Sequence, residues 1–311
     1  MKYLVIGEPC VDVIHKADGG KVNSYGGILY SAISLAVLVN PDDEVIPVMN
    51  LGDDEYDNIT SLLKRYKNIN QEGIYKVSYP TRKVNLYYSN YRSGKSARLE
   101  SSTAPTYTLD YNSIEKFLPG ADAILINLIS GVDISLETLQ NIRRNFTGII
   151  HMDIHNLVMK TNPDGTREHT HVDNYLDWCM NTDTLQMNEY EIKALSKVKK
   201  LEYEIAEEIL LGHNSNVKGL IVTRGIDGVI GYTKKEKEYF GEKFLDLVKH
   251  EIRAIENPHF VDSTGCGDVF ASAFLSDYSK SNGFAKAIYF ANRTASYNTS
   301  LQGIDEIHKL K

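Results

Sequence analysis

FVDSTGCGDVFASAF, residues 260–274, is the stretch on which the fold of this chain turns. A short strand is expected to end near Asp262. Gly265 and Gly267 flank Cys266, and Asp268 is expected to open a helix with Val269, Phe270, Ala273 and Phe274 at helical spacing. The backbone N–H groups of Gly265 through Asp268 then project from a helix N-terminus, where the dipole also favours negative charge. Two glycines allow close approach of a ligand to the backbone. An anion hole with a carboxylate beside it is the expected result. Phosphoryl transfer uses that pairing: donors hold the phosphoryl oxygens, and the carboxylate orients a hydroxyl and takes its proton. A helix N-cap after a glycine turn is the plain structural alternative.

Around that stretch, short apolar runs alternate with helical patterns. KYLVIG (2–7), EVIPVMN (44–50), ADAILINLI (121–129), GIIHMDI (148–154), DTLQMN (183–188) and GLIVTRG (219–225) read as strands. Gly27 to Val39 reads as a mostly buried helix, and further helical patterns fall near 54–66 and at 135–145, 172–181, 189–196 and 201–212. This alternation implies parallel strands with crossover helices on both faces, hence a three-layer α/β/α fold around a mainly parallel sheet. Residues 10–25 and 74–100 instead alternate with period two, and in RKVNLYYSNY Val84, Leu86 and Tyr88 share one face. They read as a small β lid inserted in a single domain spanning 1–311, with Gly19-Gly20 as a hairpin turn. Tyrosines 75, 79, 87, 88 and 91 gather there. They serve either to stack on a substrate ring or to pack a half-exposed sheet or a lid-mediated homodimer interface.

Composition excludes several classes. The chain has 311 residues, 42% hydrophobic and 24% charged, which is too apolar for disorder. Lysine plus arginine is 34 against 41 acidic residues, for a net charge of −7, and no basic stripe marks a nucleic-acid surface. Ile28 to Val39, the longest apolar stretch, is too short to span a bilayer. MKYLVIGEPC does not read as a secretory signal. Cys10, Cys179 and Cys266 have neither disulfide nor metal-ligand spacing, so a reduced, cytoplasmic setting is expected. His151 and His155 lie too far apart along a strand to suggest a metal, while DIHN (153–156) ends a strand where ligands collect. GxxxxGK[ST] is absent, which excludes a P-loop kinase, and the first strand lacks GxGxxG.

DSTGCGD resembles the C-terminal signature of the ribokinase-like (PfkB) carbohydrate kinases, Asp-Thr-x-Gly-Ala-Gly-Asp. LVIGEPCVDVI (4–14), YGGILYSAISLA (25–36), NLGDDEYDN (50–58), NEYE (188–191), VTRGIDG (222–228) and ANRTASYNTSLQG (291–303) resemble further family segments in the same order. The resemblance implies a ribokinase-like fold and ATP-dependent phosphorylation of a hydroxyl on a sugar-like small molecule. It implies Asp268 as catalytic base and Gly265, Cys266 and Gly267 as the anion hole. Thr223 and Gly225 would meet the nucleotide phosphates, and Asn292 and Gly303 would lie by the adenine. Asn188 and Glu191 would organise Mg²⁺ through water. Asp262 and Thr264 would sit near a monovalent-cation site of the kind some members fill with K⁺. Asp12, Gly26 and Gly27 would grip the acceptor.

Each residue has a plainer reading. Asn188 and Glu191 form a near relative of a capping box, Thr223 and Gly225 an ordinary strand-to-turn step, and Asp12 an exposed strand carboxylate. Two departures from the family pattern stand out. Ser31 occupies the place of an asparagine that contacts sugar hydroxyls, so the acceptor pocket is expected to be reshaped. Cys266 replaces alanine, and a thiol at a helix N-terminus tends toward a lowered pKa. Alkylation is therefore expected to inactivate, with ATP protecting. A nucleoside or cyclitol kinase of the same fold, and a non-catalytic ligand-sensing module, are the alternatives.

Overall fold

Apolar runs with no polar face can only be central strands, and the structure places them so. The computed structural model describes residues 1–15, 19–88, 98–103 and 107–310. Its strands are β1 (Lys2–Ile6), β2 (Pro9–His15), β3 (Lys21–Gly27), β4 (Glu44–Gly52), β5 (Ile74–Val77), β6 (Arg82–Tyr88), β7 (Arg98–Ser102), β8 (Ala123–Asn127), β9 (Ile149–Asp153), β10 (Met159–Thr161), β11 (Arg167–His169), β12 (Thr184–Asn188), β13 (Gly219–Thr223), β14 (Val229–Tyr239) and β15 (Glu242–Ile252). The helices are α1 (Ile28–Leu38), α2 (Tyr56–Leu63), α3 (Tyr111–Glu115), α4 (Leu136–Asn145), α5 (Tyr175–Met180), α6 (Glu191–Leu195), α7 (Glu202–Leu211), α8 (Cys266–Ser281) and α9 (Phe284–Asn298).

A nine-stranded sheet runs β15-β14-β13-β12-β9-β8-β1-β4-β5. From β13 to β5 every neighbouring pair is parallel, and β14 and β15 close the edge as an antiparallel hairpin. Alternate residues of one strand feed opposite cores. Leu4 and Ile6 join a cluster with Leu139, Trp178 and Ile205, whereas Tyr3 and Val5 join one with Ile33 and Leu275. Helices thus cover both faces, giving three layers. α1 is buried along almost its whole length because it is wedged between the sheet, α8 and the C-terminal turns at 304–310.

A separate four-stranded sheet has the order β3-β2-β6-β7, with β2 and β6 parallel. Cys10, Val84 and Leu86 form a small apolar cluster on one of its faces.

Three expectations need correction. Ile74–Val77 belongs to the main sheet, paired in parallel with Met49–Gly52, and not to the small one. An edge strand with one solvated face alternates as a lid strand does, so periodicity alone misassigned it. No strand ends near Asp262. The chain leaves the sheet after Ile252, and Val261 and Asp262 donate their amides to Thr299 O beside the end of α9. Finally, the tyrosines do not form one cluster. The Tyr75 hydroxyl donates to Ser113 O, Tyr79 stacks on Tyr107, and Tyr87 stacks on His15. Tyr91 and the side chain of Tyr88 lie outside the described residues.

Candidate active site

The C-terminal ends of β9, β12 and β13, the N-terminus of α8 and the inner face of the small sheet enclose a cavity of about 300 Å³. Ligand crevices in open α/β sheets form at such strand ends. Thr264, Gly265, Cys266, Gly267 and Asp268 line it from the head of α8, Asp12 and Gly27 from the small sheet, and Asn188, Glu191 and Thr223 from the ends of β12 and β13 and the start of α6.

The helix begins two residues earlier than expected. Gly265 is the N-cap of α8, and Asp268 lies inside the first turn rather than opening it. Gly265 has φ +74, and a Cβ there would stand 2.3 Å from the Tyr30 ring. Only glycine combines that left-handed backbone with contact against Tyr30. Gly27 plays the matching role at α1, with φ +63 and a Cβ position 2.4 Å from Glu8 O. At Gly267 a Cβ would meet nothing within 4 Å, so the backbone there faces open space. The amides of Gly265 and Gly267 have no partner among the described residues, whereas the Cys266 amide donates to Ser263 O at 3.2 Å. The expected hole therefore loses one donor to the turn.

Asp268 is held from behind. Asn127, at the end of β8, donates from Nδ2 to Asp268 Oδ1 at 2.5 Å and to Ser31 Oγ at 3.0 Å. Ser31 is fully buried and supports Asn127 instead of lining the cavity. Gln186 donates to Asp153 Oδ2 and to Gly267 O, both at 3.0 Å, tying β12 to β9 and α8. Burial, with Glu191 and Asp268 nearby, pushes the pKa of Asp153 up. Burial pulls His155 down, but the pairing with Glu191 and the nearby Asp153 and Asp268 outweigh it and carry its pKa up to about 9. Acidic side chains therefore line the cavity here, with the His155 imidazolium among them and Asp153 held toward its protonated form.

The remaining residues fall as follows. Asn188 and Glu191 form a reciprocal cap: Asn188 Oδ1 accepts from the Glu191 amide at 2.9 Å, and Glu191 Oε2 accepts from the Asn188 amide at 2.7 Å. Glu191 Oε1 is left facing His155 Nδ1 at 3.7 Å. Asp12 is buried, not exposed, and its carboxylate lies across Gly26, where a Cβ would stand 2.3 Å from Oδ2. Asp262 Oδ1 accepts from the Thr264 amide and hydroxyl. Gly225, Asn292 and Gly303 do not line the cavity. Gly225 starts the turn after β13, Asn292 donates to Arg253 O at 2.9 Å, and a Cβ on Gly303 would lie 3.5 Å from Ser24 Oγ.

One electrostatic expectation fails. Burial pushes the Cys266 thiol up to about 11, against a lowering contribution from Asn298, with Asp262 and Asp268 adding to the rise. The helix N-terminus does not overcome desolvation beside two carboxylates. Sequence reading also missed Tyr30, Arg82, Asn127 and Gln186. A polar residue inside a buried strand was the available signal for Asn127 and Gln186, and the period-two face shared with Val84 was the signal for Arg82.

The model of the pfkB family carbohydrate kinases matches residues 147–307, just over half of the chain, and the chain belongs to that family. It is 31% identical over 122 residues to a nucleoside kinase of Methanocaldococcus jannaschii, an alignment covering 39% of this chain and 34% of that protein. The match thus spans about a third of that relative's length. The fold is similar to that of a pyrophosphate-dependent kinase in the ribokinase family (TM-score 0.75, 16% identity, 97% of this chain and 96% of that one). It is also similar to a ribokinase from Thermotoga maritima (TM-score 0.67, 20% identity, 99% of this chain and 98% of that one). The architecture is therefore ribokinase-like, as the signature implied.

Proposed function

We propose that the chain is an ATP-dependent phosphotransferase acting on a hydroxyl of a sugar-like small molecule. The observation that carries this is the juxtaposition of the Gly265 and Gly267 amides with an Asn127-held Asp268 on the wall of one cavity. The acceptor hydroxyl lies against Asp268 and attacks the terminal phosphorus of the donor. The new P–O bond forms as the bond to ADP breaks, and the hydroxyl proton passes to Asp268. The helix-terminal amides hold the phosphoryl oxygens as charge shifts across them. Asp12 binds other acceptor hydroxyls, and Thr223 lies at the donor side.

Glu191, whose Oε1 faces His155, would help hold a hydrated Mg²⁺ accompanying the nucleotide, with Asn188 shaping the turn that presents it. When bound, the ion neutralises phosphate charge. Asp262 commits Oδ1 to Thr264, leaving its other oxygen to flank a K⁺ ion. The small sheet acts as a lid whose inner face excludes water, the competing nucleophile. A cytoplasmic homodimer joined through that lid is part of the same reading.

Asp268→Asn tests it. Turnover should fall by roughly 10²–10⁴-fold while affinity for an ATP analogue stays within about twofold of wild type. Wild-type protein that binds acceptor and ATP but releases no ADP would favour a ligand-sensing module instead.

A further inference from the structure

On the side of the small sheet the cavity is lined by two guanidinium groups and one carboxylate: Arg82 on β6, Asp12 on β2, and Arg167 on β11, whose neighbour Thr166 bridges Ser101 of β7. Arg82 is 4% exposed. A buried cation is unfavourable unless it is paired and fully hydrogen-bonded. Arg82 Nη1 donates to Ile129 O at 2.9 Å and Nη2 to Ser102 Oγ at 3.1 Å, both neutral acceptors. Its Nε is buried and has no partner among the described residues. Glu8 Oε2 forms a long ion pair with Nη1 at 3.8 Å, without a hydrogen bond. Glu8 is also a weak counter-charge, because burial and the neighbouring Asp133 push its pKa up.

Position matters as much as charge. β2 and β6 pair in parallel with Cys10 opposite Arg82 and Asp12 opposite Val84. Arg82, Val84 and Leu86 therefore share the inner face, with Arg82 at the root of the lid. Arg167 adds a second guanidinium to the wall. Away from the small sheet the wall is acidic: Glu191 and Asp268 line it, with His155 against Glu191. A neutral polyol makes no use of this polarity. A molecule with a hydroxyl at one end and an anion at the other is aligned by it, and guanidinium forks suit planar or tetrahedral oxyanions.

We propose that the acceptor carries an anionic oxygen group, a carboxylate or a phosphate, which Arg82 receives with Arg167 beside it. Asp12 then binds intervening hydroxyls, and the hydroxyl to be phosphorylated reaches Asp268. This rests on the phosphotransferase reading and narrows its substrate class to sugar acids or sugar phosphates.

The test uses the full chain and matched acceptors: D-glucose, myo-inositol and adenosine as neutral members, D-gluconate and D-glucuronate as acids, and glucose 6-phosphate as the phosphate. Binding is read by calorimetry with a non-hydrolysable ATP analogue present, and turnover by ADP release. The expected result is at least about tenfold tighter binding of an anionic member than of any neutral one. Arg82→Gln should abolish that preference, and Arg82→Lys should keep part of it. Preference confined to the acids assigns the carboxylate, and preference confined to glucose 6-phosphate assigns the phosphate. If Arg82→Gln does not fold, Arg167→Gln supplies the comparison. Tighter binding of a neutral member, no binding of any anionic one, or a preference that survives in a folded Arg82→Gln overturns the proposal. An anionic acceptor that binds to wild type without ADP release leaves the acceptor assignment standing and sinks the phosphotransferase reading.

Discussion

Asp268 depends on Asn127, a residue with no side-chain surface in contact with solvent. Its amide bridges Ser31 and Asp268, so the carboxylate is aimed before any ligand arrives. Asn127→Ala should lower kcat by about tenfold or more, with little change in KM for ATP, as expected when a positioning contact is lost. Steady-state kinetics on a variant with an unchanged melting temperature checks this. Cys266 should react slowly: with its thiol pushed up to about 11, little thiolate exists at pH 7.5. Iodoacetamide labelling followed by mass spectrometry should find Cys266 modified more slowly than a free thiol. His151 gives a pH signature of another kind. Burial holds its pKa down to about 3. Below its unfolded pKa of about 6.5 the unfolded chain binds a proton that the folded chain excludes. Stability contributed by neutral His151 is complete above that value and falls on acidification, by about 1.4 kcal/mol per pH unit. Urea unfolding between pH 7 and 5 should show that limb, and His151→Gln should flatten it.

At the scale of elements, the head of α8 is built by two glycines with opposite reasons for being there. Gly265 is required by the fold, through φ +74 and the Tyr30 ring. Gly265→Ala should destabilise by about 1–3 kcal/mol and reduce turnover by about 10² or more as the amides shift. Gly267 has no such need, because a methyl would enter open space. Gly267→Ala should leave the fold as stable or up to about 1 kcal/mol more stable, yet weaken donor binding if phosphate approaches that backbone. Thermal melts with and without an ATP analogue separate the two effects, and unchanged donor binding would deny the close approach.

The main-sheet strands most legible from sequence, β1, β4, β8, β9, β12 and β13, are those buried on both faces, where apolar residues predominate. The β14–β15 hairpin was not legible. Its tract KKEKEYFGEKF is charged and solvated on an edge, where backbone pairing rather than apolar burial defines the strand. Asp268, Glu191 and Thr223 were legible as motif residues. Arg82 and Tyr30 were not, since their roles arise only when the small sheet folds over α1 and α8.

In the whole molecule the cavity lies between the C-terminal ends of central strands and a smaller sheet. Glu191 and Asp268 line the cavity from the side of the main sheet and the head of α8, and the guanidiniums of Arg82 and Arg167 line it from the side of the small sheet. Closure of the small sheet should therefore need both substrates. Hydrogen exchange at residues 9–15, 21–27 and 82–88 should slow more with acceptor and ATP analogue together than with either alone. The decisive measurement is a crystal structure of the full chain with Mg²⁺ and a non-hydrolysable ATP analogue. The terminal phosphorus should lie against the Gly265 and Gly267 amides, within reach of a hydroxyl held by Asp268. A terminal phosphate seated away from the head of α8 would contradict the phosphoryl-transfer site described for this cavity.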